Sequence, residues 1–518
     1  MTNEVYLDAN ATSPALPAAV AAAVDAMQAR FGNPSSSHGA GLRARAVLDA
    51  TRACARRVIG AGDGSVIFTS GATEAIQTAV LSALCAVRQR QLGGEAVGDL
   101  LLVGATEHKA VAECLAHWNN ILGTGCTVHP LAVDADGRHR LEDLTALAPR
   151  VALLCTMAAN NETGVVTDLA AIEALLDAHA PQALWMVDCV QALGKLPLQL
   201  ARTRIDYAPF SGHKLYAPKG VGMLYVRKQA PFTPLMVGGG QESGLRAGTE
   251  NMAGIAAFGA VLAALEEGLF RPAAELARLR ERLAHTLQAS FPGLHFNAPF
   301  DHSLPTTLNF SVPGAASTLL LNVFDAAGVC VSGGSACSAA KAAPSHVLLA
   351  MGIDHARAAS AVRLSFSPTA SDAFIDAACA RIARCGAAFV GHPQPASAAP
   401  PTKTAAADHG DRGDHGVGID PAGLGAFLAQ HPAARLVDVR EAVEHAAAAI
   451  GSWHGRAVAS VPLSSLPQQL AACLDQPEQP LLLFCRSGNR SLLALHMLRD
   501  AGHKNVYHLR GGLALAQR

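Results

Sequence analysis

The chain has almost no net charge. Lys+Arg is 40, Asp+Glu is 41, and the formal balance is -1 over 518 residues. A nucleic-acid binder usually shows a basic excess or patch, so no direct nucleic-acid contact is expected. Long apolar runs are also missing. The longest, residues 252–265, is too short to cross a bilayer and reads as a buried helix. The start, MTNEVYLDAN, lacks a basic stretch followed by an apolar one, so no signal peptide is expected. Cysteine is sparse and scattered, 12 residues with no CxxC pair. That argues against a disulfide scaffold and a structural zinc site, and no metal is expected. These shortages point to the reducing cytoplasm, where single cysteines serve as reactive thiols.

Half of the residues are hydrophobic, enough to bury a sizeable core. At ~150 residues per domain the length suggests about three structural units. One stretch, GHPQPASAAPPTKTAAADHGDRGDHG, is rich in Pro, Ala, Gly and charge and has no apolar period. Residues 391–415 therefore read as a flexible linker. They separate a large part, 1–390, from a small one, 416–518.

The large part alternates apolar β-type runs (65–69, 100–103, 151–156, 184–187, 222–226) with Ala/Leu-rich helical stretches (16–30, 72–88, 169–179). This is the pattern of a doubly wound α/β sheet. Ligands of such sheets sit at the carboxyl ends of the strands. The polar residues there are Ser70-Gly71-Ala72-Thr73, Thr106-Glu107-His108, Asn160-Asn161, Asp188 with Gln191, and Ser211-Gly212-His213-Lys214. A strand, small residues and a helix start form a cup of N–H groups for an anion. A lysine among small polar residues suits a Schiff base to an aldehyde cofactor. Taken singly, each has a plainer reading as a cap, a turn or a surface residue.

Taken together they resemble the pyridoxal-phosphate cysteine desulfurases of the NifS/IscS type. The stretches carrying the resemblance are YLDANATSP, FGNPSSSH, FTSGATEA, TEHKAV, ANNETG, VDCVQALGK, SGHKLYAPKGVG, GGGQESGLRAGTEN, VSGGSACSA and PSHVLLAMG. The resemblance implies pyridoxal-phosphate fold type I, a large domain with a smaller α/β domain, as a homodimer. It implies Lys214 as the Schiff-base lysine, His108 stacked on the cofactor ring, and Asp188 at the ring nitrogen. Asn161 and Gln191 fall on the ring-hydroxyl side. Ala72, Thr73, Ser211 and His213 fall at the phosphate, with Thr249 reaching the partner subunit's phosphate. Arg363 is implied to hold the substrate carboxylate, with Asn33 near the substrate. Cys337 is implied as the catalytic thiol that takes the sulfur of L-cysteine. Pro344 lies seven positions after it, a separation similar to the long loop form that delivers sulfur to partner proteins.

The C-terminal part reads as a compact α/β unit, with strands at 435–439, 480–484 and 506–509 and a helix at 491–501. Its second strand ends in Cys485-Arg486-Ser487-Gly488-Asn489-Arg490. A cysteine at a strand tip before a helix faces backbone N–H groups and the helix dipole, which favour a thiolate or persulfide. LVDVRE, LLLFCRSGNRS and HLRGG resemble a single rhodanese domain. That implies Cys485 as a sulfur carrier and Arg490 as the residue ordering its loop. Four residues separate the two, a short loop that fits sulfur better than phosphate.

A persulfide generator joined to a persulfide acceptor suggests an internal relay from Cys337 to Cys485, ending in iron–sulfur, tRNA or cofactor thiolation. A flexible linker of this length spans roughly 25–30 Å and holds the thiols at about millimolar effective concentration. The alternatives are a lyase for selenocysteine or cysteine sulfinate, and a C-terminal unit used only for docking.

Overall fold

The computed structural model describes residues 4–334, 344–391 and 416–516. After a short strand, β1 (Val5–Tyr6), seven strands form one sheet: β2 (Ser65–Thr69), β3 (Leu100–Gly104), β4 (Thr127–Leu131), β5 (Val151–Met157), β6 (Leu184–Asp188), β7 (Tyr207–Ser211) and β8 (Gly222–Val226). Their order is β2-β8-β7-β6-β5-β3-β4. All neighbours are parallel except β8, which runs antiparallel to both β2 and β7.

β3, β5, β7 and β8 are buried along their whole length, as near-continuous apolar strands covered on both faces must be. β2 shows the two faces directly. Val66 and Phe68 join a core with the helices Pro17–Gln28, Gly39–Val58 and Met252–Glu266, while Ile67 joins a core with Ala72–Leu92 and Lys109–Leu122. The apolar run at 252–265 is thus the buried helix its composition suggests. No helix of the described residues is long and apolar enough to cross a membrane.

A smaller unit pairs β9 (His295–Phe296), β10 (Thr307–Ser311) and a later strand, β12 (Ala361–Ser365), in the antiparallel order β12-β10-β9. Between them in sequence lies β11 (Val329–Cys330), which pairs in parallel with β1. The chain start therefore belongs with the smaller unit, and residues 8–13 run from it toward the carboxyl ends of the large sheet.

The C-terminal unit is a six-stranded sheet of β13 (Gly418–Ile419), β14 (Arg435–Asp438), β15 (Ser452–Trp453), β16 (Arg456–Ser460), β17 (Leu481–Phe484) and β18 (Val506–Leu509), ordered β13-β18-β17-β14-β16-β15. The helix after β17 spans Asn489–Asp500, starting two residues before the expected 491. Gly488 is the reason: at φ 92° it turns the chain straight into the helix, and a Cβ there would lie 2.8 Å from Gly511 N. The short helix Ala442–Ala447 packs on Ser317–Ala326 and Asp372–Gly391 of the smaller unit. Val443 and Ala447 are buried in that unit's core, and Arg486 ion-pairs with Asp325.

Candidate active site

The carboxyl ends of β5, β6 and β7 open into one cavity of about 510 Å³. Lys214 lies in a tight turn, Gly212–Lys214, directly after β7. Its Nζ donates to Asn10 O at 2.8 Å and Ala11 O at 2.7 Å. The turn is braced by the chain start: Ser13 N and Oγ both donate to His213 O at 2.9 Å, and Tyr216 N donates to Ser13 Oγ at 2.7 Å. Tyr216 has φ 62°, a left-handed backbone that a non-glycine residue holds only under such bracing.

Asp188 is the last residue of β6 and only 6% exposed. Its Oδ1 accepts from Val190 N at 2.9 Å. Burial pushes its pKa up to about 6, opposed by the Val190 N–H bond and then by the Lys214 charge. Glu107 is buried nearby, and desolvation together with the Asp188 charge pushes its carboxyl well above the usual range. Both effects favour the proton on Glu107, so the charge of this pair falls more readily on Asp188.

Ser70, Gly71, Ala72 and Thr73 line the opposite end, where the 21-residue helix Ala72–Leu92 begins. Glu74 Oε2 accepts from Ser70 N at 2.8 Å, and no side chain caps at Gly71. The N–H groups of the first turn are thus left toward the cavity, an anion cup. Gly222 permits the close approach that shapes it: a Cβ there would sit 2.5 Å from Phe210 O and 2.8 Å from Gly71 Cα. Ser211 and His213 stand beside it. His213 Nδ1 lies 3.1 Å from Thr12 Oγ1, and burial lowers its pKa to about 4.

Arg363 is 1% exposed on β12 and still lines the cavity. Its Nη2 donates to Asp8 Oδ1 at 2.6 Å and its Nη1 to Asn161 O at 3.0 Å. Its backbone bridges to Ser332, N–H to O in both directions, at 2.6 and 3.0 Å. On the other flank, Ser345 Oγ donates to Glu162 Oε2 at 2.5 Å and His346 Nε2 lies 3.1 Å from Glu107 O. Cys337, between these flanks in sequence, lies outside the described residues.

His108, Asn161 and Gln191 also line the cavity. His108 Nδ1 accepts from Ala110 N at 3.2 Å, and desolvation first, then Lys214, lowers its pKa. Two expected residues are not brought in. Asn33 is exposed, its Oδ1 accepting from Ser35 N at 2.9 Å in a local turn. Thr249 lines a separate, smaller cavity with Glu242 and Arg246. Sequence reasoning assigned no role to Asn10 or Lys195, although both fall in the quoted stretches YLDANATSP and VDCVQALGK. Asn10 and Lys195 meet across 185 positions of sequence, so only proximity in space reveals that contact.

A second thiol site lies at the end of β17. Cys485 is fully buried. Its Sγ accepts from Gly488 N at 3.2 Å and lies 3.7 Å from Ser491 Oγ. Arg490 makes a bidentate pair with Glu444, whose side chain is fully buried and also accepts from Glu441 N at 2.9 Å. The loop is thereby tied to the helix Ala442–Ala447.

An anion cup, a lysine amine, a buried carboxyl and a buried guanidinium around one cavity fit pyridoxal phosphate and an α-amino acid. Comparison with known proteins agrees. Residues 5–377 match the family Aminotransferase class-V, and residues 422–517 match Rhodanese-like domain. The chain is similar to a cysteine desulfurase of Cereibacter sphaeroides, 40% identical over 375 residues, covering 72% of this chain and 93% of that one. It is 37% identical over 378 residues to the cysteine desulfurase NifS of Azotobacter vinelandii, covering 72% and 90%. Among solved structures a NifS-like protein superimposes with a TM-score of 0.64 at 31% identity, over 73% of this chain and 98% of that one. The structure of SspA in complex with cysteine gives 0.59 at 26% identity, over 71% and 99%.

Proposed function

The chain belongs to the class-V aminotransferases, as a pyridoxal-phosphate-dependent cysteine desulfurase followed by a rhodanese-like domain, and from that premise we propose that it converts L-cysteine to L-alanine, holds the sulfur as a persulfide on Cys337 and relays it to Cys485. The observation that carries this reading is the convergence of Lys214, Asp188 and Arg363 on one cavity. The bridge from Arg363 to Ser332 ties its wall to the strand end that precedes Cys337.

Bound there, pyridoxal phosphate supplies an electron sink for the substrate α-carbon. Ala72, Thr73, Ser211 and His213 would hold its phosphate, Asp188 its ring nitrogen, Asn161 and Gln191 its ring-oxygen side, and His108 its ring face. Arg363 grips the substrate carboxylate, the task a planar guanidinium does best. Asn33, expected near the substrate, is not among the residues lining this cavity, and no role is assigned to it. Lys214 takes the α-proton and returns it. The Cys337 thiolate attacks the substrate sulfur. An S–S bond forms, the Cβ–S bond breaks with its electron pair going to carbon, Cβ takes up a proton from water, the α-proton is returned to Cα, and alanine leaves. Passing the persulfide to Cys485 exchanges one thiol for another and needs no outside oxidant. The Gly488 N–H at Sγ suits a sulfur anion in that loop. Transfer within one chain is supported by the helix Ala442–Ala447, which the Arg490–Glu444 pair ties to the Cys485 loop and which packs on the helices Ser317–Ala326 and Asp372–Gly391. Iron–sulfur assembly, tRNA or cofactor thiolation would consume the sulfur.

The working form in this reading is a cytoplasmic homodimer, divided at 1–390, 391–415 and 416–518. Val20, Val24, Met27 and Phe31 form an exposed apolar stripe that a second copy would cover. Thr249, away from its own chain's cavity lining, would reach the partner's phosphate.

The test is persulfide mapping by mass spectrometry after a pulse of ³⁴S-labelled cysteine. Label is expected on Cys337 and Cys485, and Cys485 should stay dark in a Cys337→Ala variant. Label on Cys337 alone refutes the relay. Full alanine release by Cys337→Ala refutes the mechanism.

A further inference from the structure

Lys195 is a second lysine beside the cavity, and none of the roles above uses it. It follows Gln191 by four positions, in the turns after β6. Its Nζ reaches inward, 2.7 Å from Gln191 Oε1 and 3.2 Å from Asn10 Oδ1. Burial, then the like charges of Lys214 and Arg363, push its pKa down to about 7. Holding an ammonium there is costly, and two amide oxygens are its compensation.

In its ammonium form Lys195 only donates. Both amides must therefore turn their oxygens to Lys195 and their nitrogens away. Gln191 Nε2 donates to Asn10 O at 3.1 Å and has a second hydrogen for the cavity that Gln191 lines. Asn10 Nδ2 donates to Thr307 Oγ1 at 2.9 Å and Asn161 O at 3.3 Å. Asn10 O also receives Lys214 Nζ. Asn10 O holds the nitrogen end of the Gln191 amide and Lys195 holds its oxygen end, so the two contacts together fix which end faces the cavity, and losing Lys195 removes the shorter of them.

We propose that Lys195 is a positioning residue that locks the Gln191 amide so that an N–H faces the ring oxygen of the bound cofactor. This rests on the reading of Gln191 as a contact of that oxygen, and the experiment separates the two. The full chain is stripped of cofactor and titrated with pyridoxal phosphate, for the parent, Lys195→Met, Gln191→Met and the double variant. The pH midpoint of the visible absorbance band is read on each loaded protein.

Each single variant should bind about tenfold more weakly (about 1.4 kcal/mol), and the double no more weakly than either single. The midpoint in Lys195→Met should rise by about one pH unit, because a donor to the ionised oxygen is lost. Parental affinity and midpoint in Lys195→Met overturn the proposal, and so do losses that add in the double variant. Unchanged binding in Gln191→Met overturns the Gln191 reading, and the proposal with it. Thermal unfolding of the stripped proteins reports whether the variants fold. Lys195→Gln is run beside Lys195→Met, because losing the Lys195 charge also raises the midpoint: an uncharged donor with the parental midpoint supports the lock, and a one-unit rise overturns it.

Discussion

Replacing Asp188 with Asn should move stability and chemistry in opposite directions. The carboxyl is buried at the end of β6, and burial raises its pKa from 3.8 to about 6. A raised carboxyl pKa means the folded state holds the proton better than the unfolded chain does. The cost to folding is absent below the unfolded pKa and fully present above about 6. At 1.36 kcal/mol per unit the cost is ~3 kcal/mol at neutral pH. Asn keeps the acceptor used by Val190 N and carries no charge. The cofactor-free variant should therefore melt several degrees higher than the parent at pH 7.5, and the two should converge toward pH 4. Turnover should go the other way. A charge aimed at the ring nitrogen is a preorganised electrostatic contribution, and losing one such group typically costs about 10²–10³ in rate. The assay pairs thermal unfolding of the stripped proteins at pH 4, 6 and 7.5 with alanine formation from L-cysteine. A variant less stable than the parent at pH 7.5, or one with parental turnover, would refute the reasoning.

Glu444→Ala should destabilise the C-terminal unit by about 3 kcal/mol, since removing one partner strands the Arg490 cation; the measurements are its thermal transition and the alkylation rate of buried Cys485, which should rise. His139 is pushed down to about 4 by burial, so between pH 6.5 and 4 the unfolded chain binds the extra proton and stability falls as the pH drops. The parent's melting temperature should drop across that window, and His139→Gln should drop less; equal slopes would count against burial as the cause.

Much of the site was legible in the sequence because its groups follow strands directly. Thr73, Asp188, Ser211 and Lys214 each come at a β-to-helix or β-to-turn junction, where a parallel strand delivers its next residues to one edge. The apolar runs likewise marked the buried strands, and Cys485 stood out at a strand tip. Other features had no local signature. The antiparallel direction of β8 depends on pairing, and apolar pattern alone does not encode direction. The Asp8–Arg363 pair joins residues 355 positions apart, and Lys195 meets Asn10 across 185. The contact of Arg486 with Asp325 depends on how the C-terminal unit packs. Side-chain type and strand-end position are local properties, so the groups able to do chemistry can be read along the chain. Which of them share a cavity, and which way their amides and charges point, follows from packing between distant segments and appears only once the chain is folded.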